Sequence, residues 1–169
     1  SNCTIDLGTN GTTHNAVALN ARRSSGIILN NVSGTVRFGN VTAPNPNSVT
    51  VPGIRSTNCA GVVSFAQANV DMNSAGSFET FSNDTTPDDN NGNGDAVYIS
   101  GFTGTGFSIN GGRIENAADD GIDIRNSSNF NLSGVIIEDC GLNPAIQATT
   151  GHNSSCLQAL NLAGTNNMT

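Results

Sequence analysis

Between Ala118 and Ile124 the chain reads ADDGIDI: Asp119 and Asp120 are adjacent, a glycine follows, and Asp123 alternates with Ile122 and Ile124. Carboxylates are the acid, base and nucleophile of glycosidic cleavage. They stand about 5 Å apart in retaining enzymes and about 6.5–9.5 Å apart in inverting ones. Carboxylates are also the ligands a hard cation prefers. The same residues admit a third reading, a sharp polar turn. A second acidic stretch, DDNNGNGD (Asp88–Asp95), places Asp89, Asn91 and Asn93 at alternate positions before Gly94 and Asp95. This is similar to the start of a D-x-[DN]-x-[DN]-G calcium loop, where alternate side-chain oxygens point inward and the glycine lets the chain turn. The twelfth position from Asp89 is Ser100, not the bidentate glutamate of a complete loop. A calcium ion held by Asp89, Asn91, Asn93 and Asp95 therefore needs another donor, and calcium is the only cofactor the residues suggest.

The other reactive side chains point less clearly. His14 lies in TTHNA and His152 in TGHNS, both polar turns without a second ligand at metal spacing. Arg113 and Arg125 stand near the acidic stretches, where surface ion pairs are the plain expectation. Cys3, Cys59, Cys140 and Cys156 form an even set with no C-x-x-C, which favours disulfides in an oxidising compartment over zinc. Three pairings are open; Cys140–Cys156 with Cys3–Cys59 is the one preferred here, against buried free thiols. Sequons occur at Asn2, Asn10, Asn31, Asn40, Asn83, Asn126, Asn131, Asn153 and Asn167, and they permit glycosylation without showing it.

Composition narrows the function classes. The 169 residues carry a formal charge of −7, with no lysine among the six basic residues and no tryptophan. Such a chain has no basic patch to meet phosphates, so nucleic acid and anionic membrane surfaces are poor partners. No apolar run approaches the length of a membrane span. No charged-then-apolar leader begins the chain, which reads as mature or excised from something longer. Helix formers are scarce while Asn, Ser, Thr and Gly abound, so long helices lack intrinsic support.

What positions the acidic residues is a repeat. Laying GDAVYISGFTGTGFSINGGRIEN (Gly94–Asn116) over DDGIDIRNSSNFNLSGVIIEDC (Asp119–Cys140) puts Val97 on Ile122 and Ile99 on Ile124, at an offset of 25. Ile109 then falls on Leu132, Gly111 on Gly134 and Ile114 on Ile137, at an offset of 23. Each unit has three short apolar-x-apolar strands between Gly, Asn and Ser turns, with one face of each strand buried. The register also puts Asp95 on Asp120 and Glu115 on Glu138, with Asp139 beside the latter. Asp120 thus becomes the extra donor for the calcium loop. Upstream, Gly26–Phe38 and Gly61–Phe81 open alike, with Gly and an aliphatic pair; downstream, Ala145–Gly164 is a weaker copy in which Ile146 follows Ile122. The segments 42–53 and 82–94 are polar or proline-rich and predict protruding loops.

A three-strand unit cannot bury its apolar face alone, and stacking such units solves that. On these lines the chain resembles the right-handed parallel β-helix proteins of the pectate-lyase-like superfold. The expected fold is all-β: a single-stranded right-handed parallel β-helix, or solenoid, of about six coils with three short strands each, as one domain over 1–169. A resemblance to polygalacturonases would match Asp119 and Asp120 to their Asp pair, Asp95 to the neighbouring Asp, and His152 to their Gly-His-Gly. The last motif is broken at Asn153, and their Arg-x-Lys has no counterpart in a lysine-free chain. The expected function is a non-catalytic extracellular structural or adhesive module of a cell-surface or filamentous protein. No amphipathic capping helix is evident at either end, so end-to-end self-association or a longer parent chain is expected, and surface glycans are a further candidate partner. The alternatives are a polysaccharide-active enzyme and a glycan-binding module.

Overall fold

A computed structural model of the chain describes residues 4–7, 17–18, 27–44, 52–72, 94–142 and 155–169. Every element among them is a strand. The first six are β1 (Thr4–Leu7), β2 (Val17–Ala18), β3 (Ile27–Asn30), β4 (Thr35–Pro44), β5 (Ile54–Thr57) and β6 (Val62–Asp71). β7 (Val97–Ser100), β8 (Gly106–Ile109) and β9 (Gly112–Glu115) follow, then β10 (Ile122–Arg125), β11 (Phe130–Leu132) and β12 (Val135–Glu138). β13 (Leu157–Leu160) and β14 (Asn167–Met168) come last. They form two sheets, and all pairings are parallel. The five-stranded sheet has the order β13-β10-β7-β5-β3, and the nine-stranded sheet contains the path β1-β4-β6-β8-β11-β14.

The repeat read from Gly94–Asn116 and Asp119–Cys140 is the register of the sheets. Val97 pairs with Ile122 and Ile99 with Ile124, Ile109 with Leu132, and Ile114 with Ile137. Outside those two units the expected alignment needs correction. Ile27 pairs with Ile54, whereas Val62 pairs with Thr35, so the Gly-aliphatic openings of the two upstream units belong to different sheets. Those units also merge two expected strands into the ten-residue β4 and β6. β6 alone pairs with both β8 and β9. Downstream, the partner of Ile122 is Leu157 rather than Ile146, which lies outside the described residues. The expected loop 42–53 is overtaken at both ends, because β4 runs to Pro44 and Gly53 is buried against Val70; residues 45–51 lie outside the described residues. Of 82–94 only Gly94, a buried turn residue, is described.

One corner explains the abundance of asparagine. Asn31, Asn58, Gly101, Asn126 and Asn161 each follow a strand of the five-stranded sheet, and all have positive φ, between 48° and 66°. Asparagine and glycine tolerate this left-handed conformation best. The ladder continues through the corner: the N–H of Asn31 donates to the Thr57 carbonyl, that of Asn58 to Ser100, and that of Asn126 to Leu160, at 2.9–3.0 Å. Asn161 Nδ2 donates to Asn126 Oδ1 at 3.1 Å. At Gly101, with φ 66°, an added side-chain carbon would lie 2.6 Å from Asn58 Oδ1, which would have to shift.

Inward residues stack in rows between the sheets. Phe38 and Phe65 lie face to face with centroids 4.6 Å apart, and Phe102 meets Phe107 edge-on at 5.6 Å. Offset and edge-on aromatic pairs of this kind add to the area they bury. Ser56 Oγ is the one uncharged side-chain polar atom that is buried there without a partner among the described residues. Among the described residues no helix is long and apolar enough to cross a membrane.

Candidate functional site: a buried acidic corner

The register that pairs Val97 with Ile122 carries Asp95 to Asp120, two residues before the start of β7 and β10. The backbone closes the corner: Asp119 N–H donates to the Gly94 carbonyl at 3.0 Å, and Ala96 N–H to the Asp120 carbonyl at 2.9 Å. Asp120 N–H donates to Asp95 Oδ1 at 3.1 Å. From the far side, Ser155 N–H donates to Asp120 Oδ1 at 2.5 Å. Asp119 completes the group: one oxygen from each of Asp95, Asp119 and Asp120 lies within 4.8 Å of the others. All three are buried, at 2%, 6% and 2% exposure.

Burial and crowding have an electrostatic consequence. Desolvation, then the neighbouring carboxylates of Asp120, Asp123 and Asp119, push the Asp95 carboxyl well above the ordinary aspartate value of 3.8; the Asp120 N–H opposes this. Both effects penalise the charged form.

Asp123 faces outward between Ile122 and Ile124, as alternation requires, yet it too is buried. Arg125 Nε donates to Asp123 Oδ2 at 2.5 Å, and Arg125 Nη2 to Gln158 Oε1 at 2.6 Å. The expected surface pair of Arg125 is therefore a buried one. The Asp-x-Arg spacing, which puts both side chains on one strand face, was the signal for it. Tyr98 precedes Asp123 in the same row, with the Arg55 guanidinium 5.7 Å from its ring centroid. Arg113 meets expectation: on the surface it bridges Glu115 and Glu138, which the register stacks.

The structure thus brings together Asp95, Asp119 and Asp120. Asp89, Asn91, Asn93, His14 and His152 lie outside the described residues, as do Cys3 and the sequons at Asn2, Asn10, Asn83 and Asn153. Asn31, Asn40, Asn126 and Asn167 are exposed, while Asn131 is half-buried and donates to Asn110 Oδ1. Cys59, Cys140 and Cys156 are free thiols. Cys59 is buried and donates to the Thr57 carbonyl at 3.4 Å; its expected partner, Cys3, is not described. Carboxylate oxygens this close resemble the retaining geometry in spacing alone. With exposure of 6% or less, the three carboxyl groups have little contact with solvent.

No protein family matches the chain, and no curated protein or solved structure does.

Proposed function

We propose that the chain is a non-catalytic structural module of an extracellular or cell-surface protein. On this reading it is a right-handed parallel β-helix of about six coils, of the pectate-lyase-like kind, that stacks end to end on further copies or continues in a longer parent chain. One observation carries the reading. Along a single inward row, Phe38, Phe65, Ile109 and Leu132 are exposed by 7%, 0%, 0% and 4%, but the next residue, Met168, is exposed by 42%. The inward row is therefore uncovered at Met168. Among the described residues, both sheets end there in strands paired on one side, and likewise in β3 and β1 at the other end. A parallel strand from another copy satisfies such an edge and covers the apolar row. The exposed sequons and the lysine-free composition support an extracellular setting. Light scattering and electron microscopy test the stacking: ordered polymers that lengthen with concentration are expected, and a monomer at every concentration overturns it.

A second reading concerns the acidic corner, and the convergence of three buried carboxylates favours it. Calcium held by Asp95, Asp119 and Asp120 would neutralise them with the oxygen ligands it prefers. A proton on Asp95 is the competing means. Melting with calcium and with chelator separates the two: a rise with calcium that Asp120→Asn abolishes supports the ion, and superimposable curves exclude it.

A further inference from the structure

We propose that Cys140 and Cys156 form a redox-closed staple beside the acidic corner, with Cys156 the first thiol to react and Cys140 the resolving one. Both cysteines lie against the same glycine. A side-chain carbon on Gly121 would sit 2.9 Å from Cys140 Sγ and 2.6 Å from the Cys156 carbonyl oxygen. The missing side chain lets the two residues approach: the Cys140 thiol, which donates to the Glu138 carbonyl at 3.5 Å, lies over Gly121 beside the Cys156 backbone. Ladder bonds hold the backbone on each side. Gly141 N–H donates to the Asp119 carbonyl at 2.8 Å, and Ile122 N–H to the Cys156 carbonyl at 3.0 Å.

The two thiols differ in a way that orders the chemistry. Cys156 is exposed and Cys140 half-buried. A small-molecule disulfide such as oxidised glutathione reaches Cys156, whose thiolate attacks one sulfur and expels a glutathione thiolate. The Cys140 thiolate then attacks the Cys156 sulfur of the mixed disulfide and expels the second. Two protein thiols are oxidised, one glutathione disulfide is reduced, and both protons pass to solvent or the departing thiolates. Burial, then the neighbouring Cys156 side chain, pushes the Cys140 thiol up, so the resolving step quickens as pH rises.

The staple joins the segment after β12 to the segment before β13. It thereby anchors Ser155, whose N–H meets Asp120. This inference is independent of end-to-end stacking.

The test treats the full chain with excess oxidised glutathione at pH 8, followed by non-reducing peptide mapping and melting. The expected result is a linked Cys140–Cys156 peptide and a melting temperature raised by roughly 5–10 °C, reversed by dithiothreitol. Cys140→Ser should stop at glutathione on Cys156 without the rise. Cys156→Ser, at an exposed position, should leave Cys140 unmodified, and Cys59→Ser should form the staple as the parent does. Glutathione retained on Cys156 of the parent, Cys140 linked elsewhere, or no loss of thiols overturns the proposal.

Discussion

At the scale of the residue, the decisive group is Asp95. Its folded-state proton affinity is raised by burial and then by Asp120, Asp123 and Asp119, so the folded chain binds more protons than the unfolded chain between pH 3.8 and that raised value. Stability contributed by this group is therefore present in acid and falls as pH rises through the window, levelling above it. Asp95→Asn keeps an oxygen for the Asp120 N–H and removes the charge. The variant should melt higher than the parent at pH 7 and converge with it near pH 4, as calorimetry across pH would show. Equal differences at both pH values would remove Asp95 as the cause. Ion pairing elsewhere follows simpler rules. The exposed Arg113 pairs contribute little, whereas breaking the buried Arg125–Asp123 pair strands a charge.

At the scale of the element, the strands are short and their ends matter as much as their interiors. The left-handed corner of Asn31, Asn58, Gly101, Asn126 and Asn161 turns the chain after each strand of the five-stranded sheet. Asn126→Ala puts a residue ill-suited to positive φ at the corner and removes the acceptor for Asn161 Nδ2. It should cost about 1–2 kcal/mol, readable by denaturant titration, while Asn126→Gly should cost less. An equal loss in both variants would place the cost in the side-chain bond instead of the backbone. The same logic explains why β4 and β6 are continuous for ten residues while β8 and β9 are separate. Asn110 and Gly111 separate the later pair, and Gly112, which opens β9 at φ +109°, has no room for a side-chain carbon, which would lie 2.2 Å from the Ala68 carbonyl oxygen.

At the scale of the whole molecule, the described inward row from Phe38 through Phe65, Ile109 and Leu132 is covered, while Met168 beyond it is exposed. If stacking covers Met168, then Met168→Asp should dissolve the polymers while leaving the melting temperature of the dissociated chain nearly unchanged, since the residue is already wet. Polymers that persist in this variant would locate the contact elsewhere. Much of the architecture was legible beforehand. Parallel stacking repeats one chemical pattern at one spacing, so Val97, Ile99, Ile109 and Ile114 found their partners by alignment alone. The alignment failed where spacing changed, because an inserted stretch before Leu157 hides its equivalence to Ile122. Periodicity likewise placed Asp95 over Asp120 and turned Asp123 away from the apolar row. Alternation along a strand, a local property of the backbone, decides which face a side chain takes, and the sequence alone determined that much. Whether the face is wet is not local. Only the packing of segments distant in the chain decided that Asp123 and Arg125 are buried, that Asp119 joins the other two carboxylates, and that Gly121 is the residue Cys140 and Cys156 lie against.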